Sequence, residues 1–560
     1  MMLKAVRYNY NSLFGVTVAL VALVLLLSIN FATAQVLRKG VTDTEADPVI
    51  PEPAEGKVHG EDYHHHHEPV KMSDGAKPTK YNSEVFKSDP SYEDKPYDVE
   101  EQLKIYGGKY KIEDGAAHYS RGEVPRPVIE WGYPMYQEGP IGAGFDVWGS
   151  KNLFRPQLLV FGDWRFGLVH NDNGALDTSQ IATRLNLNVD LRLTATERIH
   201  VFLRPFDRVE QGKSLRHEFG GSVQNTRKEK NETILDVTPE AFFFEGELGA
   251  IVSGLTDTHT SFDLPLSFGF MPLFFQNGIW MEDAFMGGAV SLTAQNSSFF
   301  DITNYDITLF GGFDRITSKA IVENNGSFDD HRANLIGLAA FLDIDQAYIE
   351  AGWAYTHDGG PRSNGDFSYH NMTLAITKRY FGKVSNSMRA FWSVGQDPGN
   401  GLGKTADGYL FLIENSLITS KPSTLVPYLN LFYGKNRPQS LARDFGAGGI
   451  LKNTGINFET DGMTGFPKLD DTALDSAGGA LGVSYLFNLN QQLVVELAGL
   501  TPLGDDVMRG RTARGDQIAI GVRYQKPLSK SWIFRTDGMI GFREGQSDIN
   551  GIRVEMRIKF

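Results

Sequence analysis

The sequence predicts an all-β chain: a transmembrane antiparallel up-and-down β-barrel of about 16–18 strands, preceded by a largely disordered N-terminal extension. Three observations predict it. From about Gln157 onward, apolar and polar residues alternate with period two. The connections between the alternating runs swing between short and long. No apolar run of the roughly 20 residues that a membrane helix needs follows residue 30.

The first element is a leader over 1–34. Lys4 and Arg7 precede an apolar run from Val16 to Ile29, which ends in Ala32-Thr33-Ala34. That is the pattern of a secretory signal peptide cut after Ala34. The second element, 35–150, is polar and rich in Pro, Asp, Glu and Lys, with pieces such as Pro51-Glu52-Pro53 and Ser88-Asp89-Pro90 that bury too little apolar area to offset chain ordering. Its last part, Pro125 to Trp148, carries Trp131, Tyr133, Tyr136 and Phe145 and is expected to dock on or inside the barrel. The third element, 151–560, is the barrel.

Within it, Leu185, Leu187, Val189, Leu191 and Leu193 alternate with Arg184, Asn186, Asn188, Asp190 and Arg192. One face suits hydrocarbon and the other suits water. Scanning for this texture places strands near 157–169, 181–194, 198–206, 240–250, 264–274, 285–294, 304–314, 333–343 and 346–357, then near 367–379, 385–395, 407–418, 424–435, 477–488, 490–499, 515–526, 530–543 and 549–560. Counted back from the end, Pro527 to Ser529 and Asn488 to Asn490 are tight, whereas Thr501 to Arg514 is long and Gly434 to Ala477 very long. A barrel with short turns on one rim and long loops on the other has this rhythm, and a soluble sandwich has no reason for it.

Composition agrees. The 560 residues include 60 glycines, 41% hydrophobic residues and no cysteine, and the mean hydropathy is -0.26. Alternation hides the hydrophobicity of a membrane barrel from such averages. Without cysteine there is neither a disulfide framework nor a Cys-x-x-Cys-His haem attachment, and no cofactor is expected. The net charge of -14 with no basic domain argues against nucleic-acid binding.

Ile552, Val554, Met556, Ile558 and Phe560 alternate with Arg553, Glu555, Arg557 and Lys559. This end resembles the terminal strand of bacterial outer-membrane β-barrel proteins of the porin class. The resemblance implies recognition by the barrel-assembly machinery and residence in the outer membrane among lipid and lipopolysaccharide. It also places the extension in the periplasm. Homotrimers are common in that class, and the extension leaves room for a periplasmic partner.

With the apolar parity facing lipid, the other parity faces the lumen. It places Arg165, Arg184, Arg192 and Arg204 on the first three strands and Arg523, Arg535, Arg553 and Arg557 on the last three. Barrel closure joins these strands, so the arginines are expected to form one wall that favours anions. The wall resembles the arginine-lined eyelet of general porins, where acids of an infolded loop face it. Candidates for those acids are Glu282 and Asp283, or the stretch from Glu459 to Asp471. The alternative is a salt-paired, solvated wall without selectivity. Ser267 to Trp280 is apolar on both faces and is expected to pack inside the barrel or beneath that loop.

His64, His65, His66 and His67 beside Glu61, Asp62 and Glu68 offer a weak, unselective metal site. No Gly-x-Ser-x-Gly, His-Glu-x-x-His or P-loop pattern supports catalysis, and an enzyme is not expected. The expectation is a channel for small hydrophilic, anionic solutes. The alternatives are a scaffold barrel around a partner, as in an extracellular electron-transfer conduit, and an exporter of acidic polysaccharide.

Overall fold

The structure, a computed structural model, describes residues 125–132, 144–147, 149–174, 177–208, 213–220, 230–321, 331–360, 365–399, 401–487, 491–504 and 510–560. The expected leader over 1–34, the four histidines and the expected extension up to residue 124 lie outside the described residues.

Eighteen antiparallel strands close into a barrel. The first six are β1 (Gln157–Asp172), β2 (Asp177–Arg192), β3 (Arg198–Leu203), β4 (Pro239–Glu247), β5 (Pro265–Phe275) and β6 (Met281–Ser297). Then follow β7 (Ile302–Asp314), β8 (Ala333–Ile344), β9 (Ala347–Asp358), β10 (Tyr369–Tyr380), β11 (Val384–Val394) and β12 (Tyr409–Leu417). The last are β13 (Leu425–Lys435), β14 (Ser476–Phe487), β15 (Gln491–Pro502), β16 (Gln517–Pro527), β17 (Trp532–Arg543) and β18 (Ile549–Lys559). Each pairs with the next in sequence, and β18 closes on β1 with Lys559 opposite Asp163 and Asn550 opposite Asp172. Closure leaves no free edge along those pairs.

The alternation sets the facing. Leu168, Ile181, Phe268, Ile336, Leu497, Ile520, Ile540 and Ile552 are exposed on the outer face, while Gln180, Asp190, Asn371, Glu496, Arg553 and Glu555 on the opposite parity are buried. One residue of slip would exchange the two sets, so register is strongly specified. Aromatic residues collect near both outer rims, among them Trp164, Tyr380, Tyr485 and Trp532 on one side and Tyr433 and Phe542 on the other, as interfacial girdles do.

On the rim that holds the start of β1, the connections are short: 193–197, 298–301, 345–346, 381–383, 418–424, 488–490 and 528–531. Asp345 and Gln346 have φ of 45° and 61°, the two left-handed residues that a two-residue hairpin requires. One connection on this rim breaks the rule. Residues 248–264 carry a helix, Leu248–Thr256, whose N-terminus is capped by the Glu247 carboxylate accepting from Gly249 N (2.6 Å) and Ala250 N. The opposite rim bears the long loops 204–238, 315–332, 359–368, 395–408, 436–475 and 503–516, with short exceptions at 173–176, 276–280 and 544–548.

Two departures from a simple barrel matter below. β3 is short, and residues 213–220 take over as the partner of β2 nearer the long-loop rim, with Leu215 opposite Thr183 and Arg216 opposite Ala182. At the closure, β18 runs out at Phe560, which exchanges backbone hydrogen bonds with Gly162 (2.8 and 3.0 Å). Past that point the extension supplies the pairing: Ile129, Glu130 and Trp131 lie antiparallel to Val160, Leu159 and Leu158. The expected docking of Pro125–Trp148 is thus, for these three residues, a prolongation of the last strand.

The apolar core lies inside the barrel. Trp280, Phe285, Phe310, Phe391, Leu410, Leu412, Phe432, Leu500 and Met539 meet Leu441, Ile450, Leu451, Phe458 and Leu469 of the longest loop. Trp280 is fully buried and donates through Nε1 to Asn371 Oδ1 at 2.7 Å. Met271, Phe275, Ile279 and Trp280 of the apolar stretch 267–280 therefore pack the interior beneath the infolded chain, while Phe268 and Phe274 face outward.

Candidate functional site: a charged wall and an infolded segment

Arg165, Arg184, Arg523, Arg535, Arg553 and Arg557 sit at lumen positions on β1, β2, β16, β17 and β18, because the register pairs Arg165 with Arg184 and Arg557, and Arg523 with Asp537 opposite Arg553. Arg192 has the same parity at the end of β2, and Arg204 follows β3 with its guanidinium over the Phe202 ring at 5.1 Å.

Nearly every arginine on this wall has an acid. Arg165 and Glu555 form a two-pronged pair (3.0 and 2.6 Å). Arg184 pairs with Asp207. Asp537 gathers Arg523 (2.6 Å), Arg535 (2.8 Å) and Arg553 (2.8 Å). Longer separations remain at Arg192 to Asp190 and at Arg557 to Asp163 and Glu555, all 3.6 Å. Arginine holds these pairs well because its planar fork matches a carboxylate.

The infolded segment is 436–475, and its acids meet the wall. Glu459 bonds Arg523 at 2.6 Å and Arg535 at 3.3 Å, and Asp461 bonds Arg553 at 2.6 Å. Burial alone would raise both carboxyl pKa values. Arg523 and Arg535 reverse this for Glu459, as do Arg553, Thr464 and Arg165 for Asp461, so both are held below the ordinary carboxylate range.

The same segment is tied to the rest of the ring. Glu496 accepts from Ile456 N and Asn457 N (2.9 Å each) and from Asn457 Nδ2 (2.8 Å). Asn430 and Asn171 donate to Thr454 O (2.7 Å) and Thr464 O (2.8 Å), and Ser214 donates to Met463 O (3.1 Å). On the far side, Arg443 reaches Gly278 O and Ile279 O, and Lys452 reaches Glu282.

Of the two acid groups expected to face the arginines, the structure brings only the stretch from Glu459 there. Glu282 pairs with Arg443 (3.4 Å) and Lys452 on the opposite side. Asp283 accepts from Thr317 N at 2.7 Å, which fixes a neighbouring loop. Both begin β6, about a third of the way round the ring from β18, too far to reach the wall.

Two lumenal spaces stand out among the described residues. One, about 640 Å³ and near the short-turn rim, is bounded by Arg192, Arg198, Glu197, Glu245, Ser267, Phe275, Ser291 and Thr308. The other, about 260 Å³, lies among the long loops and is bounded by Thr317, Lys319, Thr405, Arg437, Arg443 and Thr472. Sequence reasoning missed Glu496, Arg443 and Lys319. A lone acid in the otherwise apolar Leu493 to Leu500 run was the available signal for the first. The other two lie in loops, where alternation gives no facing.

No protein-family model matches the chain, and no curated protein matches it either. Among solved structures, the barrel resembles porins of the outer membrane. Pseudomonas aeruginosa OccK11 (OpdR) aligns at 10% identity and TM-score 0.43, covering 72% of this chain and 96% of that one. Acinetobacter baumannii OccAB4 aligns at 12% identity and TM-score 0.44, covering 72% and 97%. Pseudomonas aeruginosa OccK2 (OpdF), solved in complex with glucuronate, aligns at 10% and 0.41, covering 72% and 98%. No residue role is carried across likenesses this distant.

Proposed function

We propose that the chain is an outer-membrane channel through which small hydrophilic solutes, anions in preference, diffuse past an infolded constriction. One observation carries this proposal: a closed ring with an exposed apolar outer face encloses polar and charged side chains, and a segment of its own chain crosses that interior. The outer face needs hydrocarbon around it, and about 18 strands enclose an aqueous lumen unless chain fills part of it. The interior is too occupied by 436–475 to sheathe a folded partner, which counts against a conduit scaffold.

Glu459, Asp461, Asp537 and Glu555 neutralise most of the arginine wall, which leaves the anion preference to other cations. It rests on the cations left over at the short-turn mouth. Arg192 and Arg557 pair at 3.6 Å only, and Lys559 is exposed with no ion pair among the described residues.

The test is single-channel conductance of the refolded protein in a planar bilayer under a salt gradient. Stable steps with a reversal potential of anionic sign are expected. Folded protein without steps would overturn the channel, and steps of cationic sign would overturn the preference.

A further inference from the structure

The 640 Å³ space near the short-turn rim has an apolar floor and a polar side. Leu273, Phe275 and Ala289 make the floor, and all three belong to the interior core or pack against it. Ser291 of β6 and Thr308 of β7 line it with their hydroxyls 2.8 Å apart. Arg192, Arg198 and Glu245 close the other side. Arg198 bonds Glu245, and Arg192 and Arg198 stand 3.6 and 3.8 Å from Asp190. One hollow thus offers hydrogen-bond donors and acceptors side by side above an apolar floor, with room for a small ligand.

The floor continues beyond the cavity. Phe275 meets Phe341 of β8 at 6.0 Å between ring centroids, and Phe341 stacks with Tyr348 of β9 at 6.4 Å and 20°. The three rings make a strip that runs from the cavity to the start of β9 at the short-turn rim, where Tyr348 is 40% exposed. Carboxylates border the strip. The register puts Asp306 and Glu350 opposite Phe341 on its two sides, and Asp343 opposite Tyr348. Opposite residues in a sheet have their β-carbons about 4.5–5.5 Å apart, so each acid stands beside a ring. Asp306 is held there by accepting from Ala294 N at 2.7 Å.

We propose that the cavity and its aromatic strip form a saccharide-binding track at the short-turn mouth. A pyranose ring has a face of C–H bonds, which settles on the electron-rich face of an aromatic ring. Its rim of hydroxyls donates to carboxylates and accepts from guanidinium and hydroxyl groups. Tyr348 and Phe341 take the ring face, Asp306, Asp343 and Glu350 take the hydroxyls beside it, and the cavity holds the leading sugar unit. An inorganic ion leaves the rings unused, and an apolar solute strands the charges without water. Only the role of this track in uptake rests on the channel proposal.

The test uses the full chain in detergent, titrated with glucose and with maltose and, separately, with choline, by calorimetry. Saturable binding of at least one of the two sugars is expected. Tyr348→Ala should weaken it by about tenfold, the loss of one stacking face, whereas Tyr348→Phe should stay within about twofold. Asp343→Asn, which keeps the ring and removes a charged acceptor, should weaken it by about fivefold. Tyr485→Ala, on the outer girdle, should bind as the parent does. No saturable sugar binding, or parental binding by both Tyr348→Ala and Asp343→Asn, overturns the track. Choline bound in place of sugar overturns it too, in favour of an organic-cation site. Parallel conductance measurements separate the two proposals: sugar binding by a silent barrel keeps the track and removes the channel, whereas conductance without sugar binding does the reverse.

Discussion

Arg553 has carboxylate partners of two origins, Asp537 from the adjacent strand and Asp461 from the infolded segment, and it is almost wholly buried between them. Removing one partner leaves a buried guanidinium half compensated. Asp461→Asn should therefore cost about 2–3 kcal/mol in the docking of 436–475, seen as raised current noise and faster proteolysis of that segment with the barrel still closed. Acid should mimic it. Glu459 and Asp461 have depressed pKa values in the folded protein, so their stabilisation is complete above the free carboxyl value of about 4. It is lost as pH falls from there through the depressed values. Noise that grows below about pH 4 in the parent, and much less in Asp461→Asn, is the expected result. A pH-independent parent would remove the electrostatic latch. These contacts were partly legible, since parity alone assigns Arg553 and Arg535 to the lumen. Which acid meets them was not, because loop residues have no period from which a facing can be read.

At the scale of the element, facing decides the effect of a substitution. Ile181 and Ile520 face outward, and an arginine at either should cost about 2–4 kcal/mol near the bilayer midplane, read as loss of the heat-modifiable folded band on a gel. Arg192→Gln, on the opposite parity and half exposed, should leave that band in place and shift only ion preference. Equal behaviour of the two sets would mean that the facing is wrong. The strand pattern was legible almost throughout because hydrocarbon outside enforces period two. Outside Ser267 to Trp280, it gave no reading of apolar residues on the lumen parity. Phe310, Phe391, Leu410, Leu412 and Phe432 share that parity and are buried beneath the infolded segment. Runs such as Leu410-Phe411-Leu412-Ile413, apolar on both faces, were the trace of it. Phe458, fully buried on the segment itself, packs edge-on against Phe432 at 5.9 Å between centroids. Phe458→Ala should accordingly loosen the segment by about 3–5 kcal/mol, a larger effect than that of either acid.

For the whole molecule, the ring and its crossing segment are separable in construction. All eighteen strands pair without help from 436–475, which adds only a two-residue parallel contact, Ala442–Arg443 beside Met281 and Glu282. Replacing most of that segment by a short turn should leave a closed barrel whose conductance rises several-fold, because strand number sets the width that the segment now narrows. An unchanged conductance would place the constriction elsewhere. Ring closure was legible from loop rhythm and from the final alternating strand. The helix Leu248–Thr256 was not, since nine residues in a turn give too short a pattern against a background of strands.

The closure also joins two distant stretches of chain in a single strand position. Beyond Gly162 the place of the last strand passes to Ile129–Trp131, so the backbone of Leu158 to Val160 depends on a donor from outside the ring. A chain lacking everything before residue 133 would offer those three residues as a vacant slot at the rim. A free peptide spanning 125–132 should then complement it in trans, as a donated strand does elsewhere, and bind neither the intact protein nor a truncated one with proline at Leu159.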